Sequence, residues 1–326
     1  MEIMILIIFF GLLFDYTNGF HDAANVVSTV IATRVLAPLT AIIMAGVFNF
    51  LGATHTSGVA ETIADGIILS KEATQIMILT AVIGAIVWNL ITWFFGFPSS
   101  SSYALIGGLV GAAWTGKGDQ IILWKGLVNK VILPMFISPI IGFLLAFIFM
   151  KLLMHFYEKV FQKKGEKLFA HLQVGSAAIV ALSHGLNDAQ KSMGVITLGM
   201  FAAGMIPNTS IPLWVILACA LVMGLGTASG GFRIIRTVGF EITKLAPVQG
   251  FAAELSASVV ILIASFLGMP ISSTQMIVGS VGGVGAAKNL KAVHWTLAKK
   301  VCIAWFLTLP GAALVSFSLH KLIALF

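Results

Sequence analysis

The sequence predicts an all-α, polytopic transmembrane protein built from two inverted-topology repeats with discontinuous helices. Three observations carry this reading: the composition, the recurrence of long apolar runs, and a set of polar motifs that occurs twice. Of the 326 residues, 59% are hydrophobic and only 10% charged, with a mean hydropathy of +1.03. Soluble domains are about 25% charged. A hydrocarbon core of ~30 Å takes about 20 apolar residues per helix, and runs of that length recur along the chain. The ten-residue alternation of a membrane barrel is not visible. The net charge of +7 reads first as a topology signal. No soluble basic face is available for a nucleic acid, so that class of partner is excluded.

Taken in order, residues 1–14 open with Glu2 rather than a basic run and carry no small-residue cleavage site, so they predict a retained helix and not a signal peptide. The first apolar segment, residues 3–33, is interrupted at residues 15–25. Pro38 opens a second segment to about residue 52. A polar connection covers residues 54–72, where Glu61 and Asp65 read as solvated loop charges. Residues 73–95 form a third segment. Phe97-Pro98-Ser99-Ser100-Ser101-Ser102 then leads into a Gly-rich stretch, residues 104–114, and residues 121–150 are apolar. Residues 1–150 are thus expected as the first transmembrane repeat, the lysine-rich residues 151–170 as a hinge loop, and residues 171–326 as the second repeat. In that half an interrupted segment covers residues 171–206 and Pro212 opens the next. A basic connection with Arg233, Arg236 and Lys244 follows, then apolar residues 247–268. Met269-Pro270-Ile271-Ser272-Ser273-Thr274-Gln275 precedes the Gly-rich residues 277–287, and residues 293–326 close the chain. Cys219 and Cys302 lie in apolar stretches and read as packing residues.

The duplication can be aligned. Gly19-Phe20-His21-Asp22-Ala23 lies over Gly185-Leu186-Asn187-Asp188-Ala189. Pro98, Ser100, Ser101, Gly107 and Gly111 lie over Pro270, Ser272, Ser273, Gly279 and Gly283 at nearly the same offset. Five crossings per half invert the second half, and the Ser-rich elements leave room for re-entrant hairpins. With the N-terminus outside, Arg34, the five hinge lysines, Arg233, Arg236, Lys244, Lys288, Lys291, Lys299 and Lys300 fall inside. This placement satisfies the positive-inside rule and puts both termini outside and the central loop in the cytoplasm.

Ser183-His184-Gly185-Leu186-Asn187-Asp188-Ala189-Gln190-Lys191 carries charge between apolar flanks. A charge at the bilayer centre costs about 2.5–3.5 kcal/mol on insertion scales and is by default a functional signal. In each Ser-rich element a proline and a run of hydroxyls precede an apolar stretch, the pattern of a helix N-terminus and hence of an anion site. Serines also help membrane helices pack closely. The run of four, echoed by Ser-Ser-Thr at the matching place, favours the site. The anion-binding candidates are Asp22, Asn25, Ser99, Ser100, Ser101, Ser102, Asn187, Asp188, Lys191, Ser272, Ser273 and Thr274. Asp22 and Asp188 could bind a cation, carry a proton, or accept the hydroxyl of a protonated oxyanion. The last role favours phosphate over sulfate, which has no proton near neutral pH. Lys191 aligns with Asn25 and could pair with Asp188, contact the anion, or replace a cation. His21 and His184 lack metal-ligand spacing and read as hydrogen-bonded residues or a proton relay. Glu254, the one acid in its apolar segment, reads as a coupling residue or as a partner for a base such as Arg233. The coupling-ion candidates are His21, Asp22, Asp188 and Glu254. No metal site, resident cofactor or enzymatic nucleophile–base pair is expected.

At these residues the chain resembles the inorganic phosphate transporter (PiT) family. That family carries Gly-x-Asn-Asp-x-Ala-Asn in both halves and a Pro-x-Ser-Thr-Thr-like motif later in each. Here His21 stands for the first motif's Asn and Gln190-Lys191 for the second motif's Ala-Asn. Residues 231–233 and 250–255 also look familial. The resemblance implies a plasma-membrane symporter that takes up phosphate with protons or sodium by alternating access, commonly as a homodimer. A sulfate permease of the same fold and, from another class, a passive anion channel are the alternatives.

Overall fold

The computed structural model describes residues 2–96, 99–160, 165–229, 240 and 242–325. Among them the structure is helical, with one isolated β-bridge between Ile68 and Ile122. The principal helices are α1 (Glu2–Ala32), α2 (Pro38–Ala53), α3 (Gly58–Asp65), α4 (Gln75–Phe94), α5 (Ser101–Lys117), α6 (Leu133–Val160), α7 (Gly165–Ala202), α8 (Leu213–Ser229), α9 (Pro247–Phe266), α10 (Ser273–Lys288) and α11 (Trp295–Ile323). Among the described residues six helices are long and apolar enough to cross a membrane, or seven if the pair α2 and α3 counts as one broken span. Large apolar side chains such as Phe9, Leu39, Phe94, Leu213 and Phe266 are exposed. A water-facing surface would not carry so many; a hydrocarbon-facing one would.

Local chemistry sets the element ends. Thr74 accepts from the Met77 N–H to cap α4. Proline begins α2 and α9, where its missing N–H costs nothing. Gly96 and Gly268 have φ of 70° and 66°, a left-handed conformation that favours glycine. They stop α4 and α9 and turn the chain toward α5 and α10.

Three expectations about continuity are corrected. Residues 151–170 are not one loop: α6 runs on to Val160 and α7 starts at Gly165, with residues 161–164 outside the described residues. Residues 15–25 do not break the first helix: α1 runs unbroken for 31 residues through Asp22, and α7 runs for 38 through Asp188. The breaks in the apolar pattern are changes of side-chain polarity only. Their polar groups find partners across the bundle, so the backbone ladder has no reason to open. The connection at residues 54–72 is likewise not all loop. It holds α3, bent by 68° from α2. Glu61 and Asp65 are exposed there, as expected, but on a helix.

The two halves interleave. The helix after each Ser-rich motif packs on the last helix of the other half: α5 on α11, and α10 on α6. The first helices also exchange, α2 packing on α7 and α1 on α8. At the α2–α7 crossing a Cβ on Gly185 would strike the Asn49 carbonyl, and one on Gly52 the Leu182 carbonyl. Two apolar cores result. Met4, Ile7 and Phe14 of α1 join one, and Val26, Val27 and Val30 join the other. The polar residues of α1 lie between them.

Candidate functional site

Asp15, Asn18, Asp22, Asn25 and Thr29 are spaced three and four residues apart on α1 and therefore share one face; all are buried. Opposite them α7 places His184, Asp188 and Lys191, also buried. Oxygen and nitrogen atoms of Asp22, His184 and Asp188 lie within 4.8 Å of one another. The aspartates of the two aligned motifs thus meet.

The Ser-rich starts close on this pair. Ser101 Oγ in the first turn of α5 lies 2.7 Å from Asp22 Oδ2 and 2.5 Å from Asn18 Oδ1, two acceptors that compete for its single hydrogen. Thr274 in the first turn of α10 donates to Asp22 Oδ1 at 3.2 Å, and Asn25 donates to Thr274 Oγ1 at 2.7 Å. The amide of Asn25 leaves the Thr274 hydrogen free to point at Asp22. His21 Nδ1 is 2.9 Å from Asp22 Oδ1. On the other side the Lys191 ammonium pairs with Asp188, takes Ser102 Oγ as an acceptor and donates to the Ile271 carbonyl at 3.1 Å. His184 Nε2 is 2.9 Å from Asp188 Oδ2, and its Nδ1 is 3.0 Å from Asn49 Oδ1. A neutral imidazole has one N–H for these two oxygens.

Other candidates stand elsewhere. Ser100 and Ser272 are N-caps, accepting from the N–H groups of Tyr103 and Gln275, both at 3.3 Å. Ser99 pairs with Thr92 at 2.7 Å. Ser273 is buried in the first turn of α10. Asn187 turns away from the aspartates and donates to Ser265 Oγ at 2.8 Å and to the Met269 carbonyl at 3.2 Å. It holds the turn between α9 and α10. Glu254 on α9 forms a separate group. It accepts from Thr29 at 2.5 Å, from Gln173 at 3.1 Å and from Ser176. Thr29 lies seven residues beyond Asp22, about 10 Å along α1. Pro98, Arg233, Arg236 and the stretch 231–233 lie outside the described residues.

Several polar partners were missed by motif reading. Asn18 binds Ser101, and Ser192 donates to Asp15 at 2.8 Å. Gln190 Oε1 accepts from the N–H groups of Val59 at 2.8 Å and Ala60 at 3.1 Å, so α7 holds the start of α3. The three-and-four spacing on α1 is the signal that finds Asn18 and Thr29. Gln190 pairs with backbone, which leaves no such signal.

The sequence matches the profile of the phosphate transporter family over residues 18–316. It is 44% identical over 312 residues to a Bacillus subtilis protein described as "Probable low-affinity inorganic phosphate transporter", covering 95% of this chain and 93% of that one. It is also 44% identical over 308 residues to a Rhizobium meliloti protein of the same description, with coverage of 94% and 92%. Among solved structures, "The sodium-dependent phosphate transporter" superposes with a TM-score of 0.90 at 26% identity over 100% of both chains.

Proposed function

The chain belongs to the phosphate transporter family, and on that premise we propose that it is a secondary active symporter taking up inorganic phosphate by alternating access, driven by protons or sodium. Its relatives are transporters and not enzymes, and phosphate is the substrate of the family. The sodium dependence named for the structural relative and the buried acids here both fit ion coupling.

One observation carries the mechanism: a hydroxyl from each Ser-rich helix start, Ser101 and Thr274, donates to the same carboxylate, Asp22. Each hydroxyl has one hydrogen and can serve Asp22 or an anion, but not both. A proton or a monovalent cation on Asp22 cancels its demand for these donors. They then turn to phosphate, beside the first-turn N–H groups of α5 and α10, which have no intrahelical acceptors. Ion and anion thereby favour one another's binding, which is the reciprocal coupling a symporter requires. Asp188 with His184 offers a second place for a proton, and Glu254 a third for a proton or cation. Alternating access would rock the interleaved halves about this layer. The exchanged packing of α5 on α11 and α10 on α6, with matched Gly96 and Gly268 turns, supports reading the two halves as a repeat. That it is inverted, with both termini outside, rests on the placement of lysine and arginine in the sequence.

Purified protein in liposomes tests the proposal. Labelled phosphate should accumulate above equilibrium when a proton or sodium gradient is imposed, and Asp22→Asn should abolish accumulation while leaving the protein folded. Sulfate accumulation without phosphate would reassign the substrate. Flux that never exceeds equilibrium would make the protein a channel.

A further inference from the structure

We infer that Lys191 is a tethered cation: its ammonium fills, in the second half of the site, a position built to hold a mobile monovalent cation. This deepens the symport reading and rests on it for the transport consequence, though not for the binding chemistry.

The surroundings of the Lys191 Nζ carry the inference. Its partners are a carboxylate (Asp188), a hydroxyl (Ser102) and a backbone carbonyl (Ile271). Hard cations take these three kinds of oxygen. The Ile271 carbonyl belongs to the non-helical stretch before α10, and unwound carbonyls of this kind coordinate sodium in other transporters. Lys191 and Asp188 are both fully buried. A carboxylate so placed is kept charged by a cation or neutralised by a proton, and here the chain supplies a cation covalently, three residues along the same helix. A compact ammonium on a flexible stem can take such a place where a planar guanidinium could not.

The first half is built differently at the aligned position. Asn25 is neutral and points to Thr274, and Asp22 is held by two hydroxyls and His21. No lysine or arginine pairs with Asp22 among the described residues. The carboxylate of the second half therefore has a lysine counter-charge built in, while that of the first half has only His21 beside it and is left to take a proton or cation from solution. The transporter would move one cation fewer per cycle than a chain with asparagine at residue 191.

Lys191→Asn, which copies the first half, tests this. Two measurements on full-length protein separate the inference from the symport reading. The first is the melting temperature in graded sodium chloride against choline chloride. Lys191→Asn should gain a saturable sodium stabilisation beyond any shown by wild type. The second is phosphate uptake in liposomes, where the order in sodium should rise by about one relative to wild type. Equal sodium responses of wild type and a folded Lys191→Asn would overturn the inference. If wild type takes up no phosphate under any gradient, the symport reading fails, and the melting experiment still decides for or against the cation site. If Lys191→Asn is recovered folded only in sodium, the inference stands. If it is lost in both salts while Asp188→Asn/Lys191→Gln folds, sodium cannot replace the ammonium and the inference falls.

Discussion

Ser101→Ala separates donation to phosphate from helix packing more sharply than any other single change. Ser101 is 1% exposed, and its hydroxyl donates to Asp22 at 2.7 Å. A hydrogen bond to a charged group is worth about 1.5–3 kcal/mol, which is about 10- to 150-fold in an equilibrium constant. The cost to phosphate binding depends on the state of Asp22. With a proton or cation on Asp22 only Asn18 Oδ1 still competes with the anion for the hydroxyl, and its removal should weaken binding by up to that factor. With Asp22 charged, the hydroxyl is engaged already, so its removal takes a donor from both sides of the equilibrium and changes affinity little. The substitution should therefore flatten the dependence of affinity on pH or sodium. Equilibrium binding of labelled phosphate, measured at several pH values in sodium and in choline, reads this directly. An equal loss at every ion concentration, or no loss at all, would refute the shared-donor mechanism.

Ser100→Ala should behave in the opposite way. Its hydroxyl is engaged in capping α5, so thermal denaturation should show a loss of about 1 kcal/mol with phosphate affinity close to wild type. Gly185→Ala should lower the melting temperature, because its Cβ meets the Asn49 carbonyl; overpacking costs about 1–3 kcal/mol. Glu254→Gln replaces an acceptor of three donors with a group that can accept only on one side. Phosphate binding should survive while accumulation under an ion gradient falls, as an uptake assay run beside a binding assay would record.

The motif residues Asp22 and Asp188 were legible because each motif occurs twice with its spacing kept. Two matched acids in apolar sequence need polar partners: Asp22 finds them in the Ser-rich helix starts, and Asp188 in His184 and Lys191. The continuity of α1 and α7 was not legible in the same way. Polarity at residues 15–25 looks like a helix break when hydropathy is the guide, but hydropathy reports what a side chain touches and not whether its backbone is helical. α3 escaped notice because Gly58–Asp65 is short and its first N–H groups are held by Gln190 from a distant part of the chain. The four serines were read as one donor run. Folded, they divide into a helix-end cap at Ser100, two residues turned to the charged cluster, and Ser99 paired with Thr92.

That α1 and α7 pass through the site as intact helices has a consequence for how such a protein can change. Where a transporter binds its ion with unwound backbone alone, altering the ion means remaking the turn that presents the carbonyls. In this chain the unwound Ile271 carbonyl is joined by side chains on intact helices. Here α1 and α7 are continuous, and the aligned motifs differ in side chains alone: Phe20 against Leu186, His21 against Asn187, Ala24 against Gln190 and Asn25 against Lys191. One codon can exchange a fixed charge for a neutral amide on a scaffold that does not have to refold around it. On the proposed symport, ion preference in this architecture is a property that drifts by single substitutions while the helical fold stays in place.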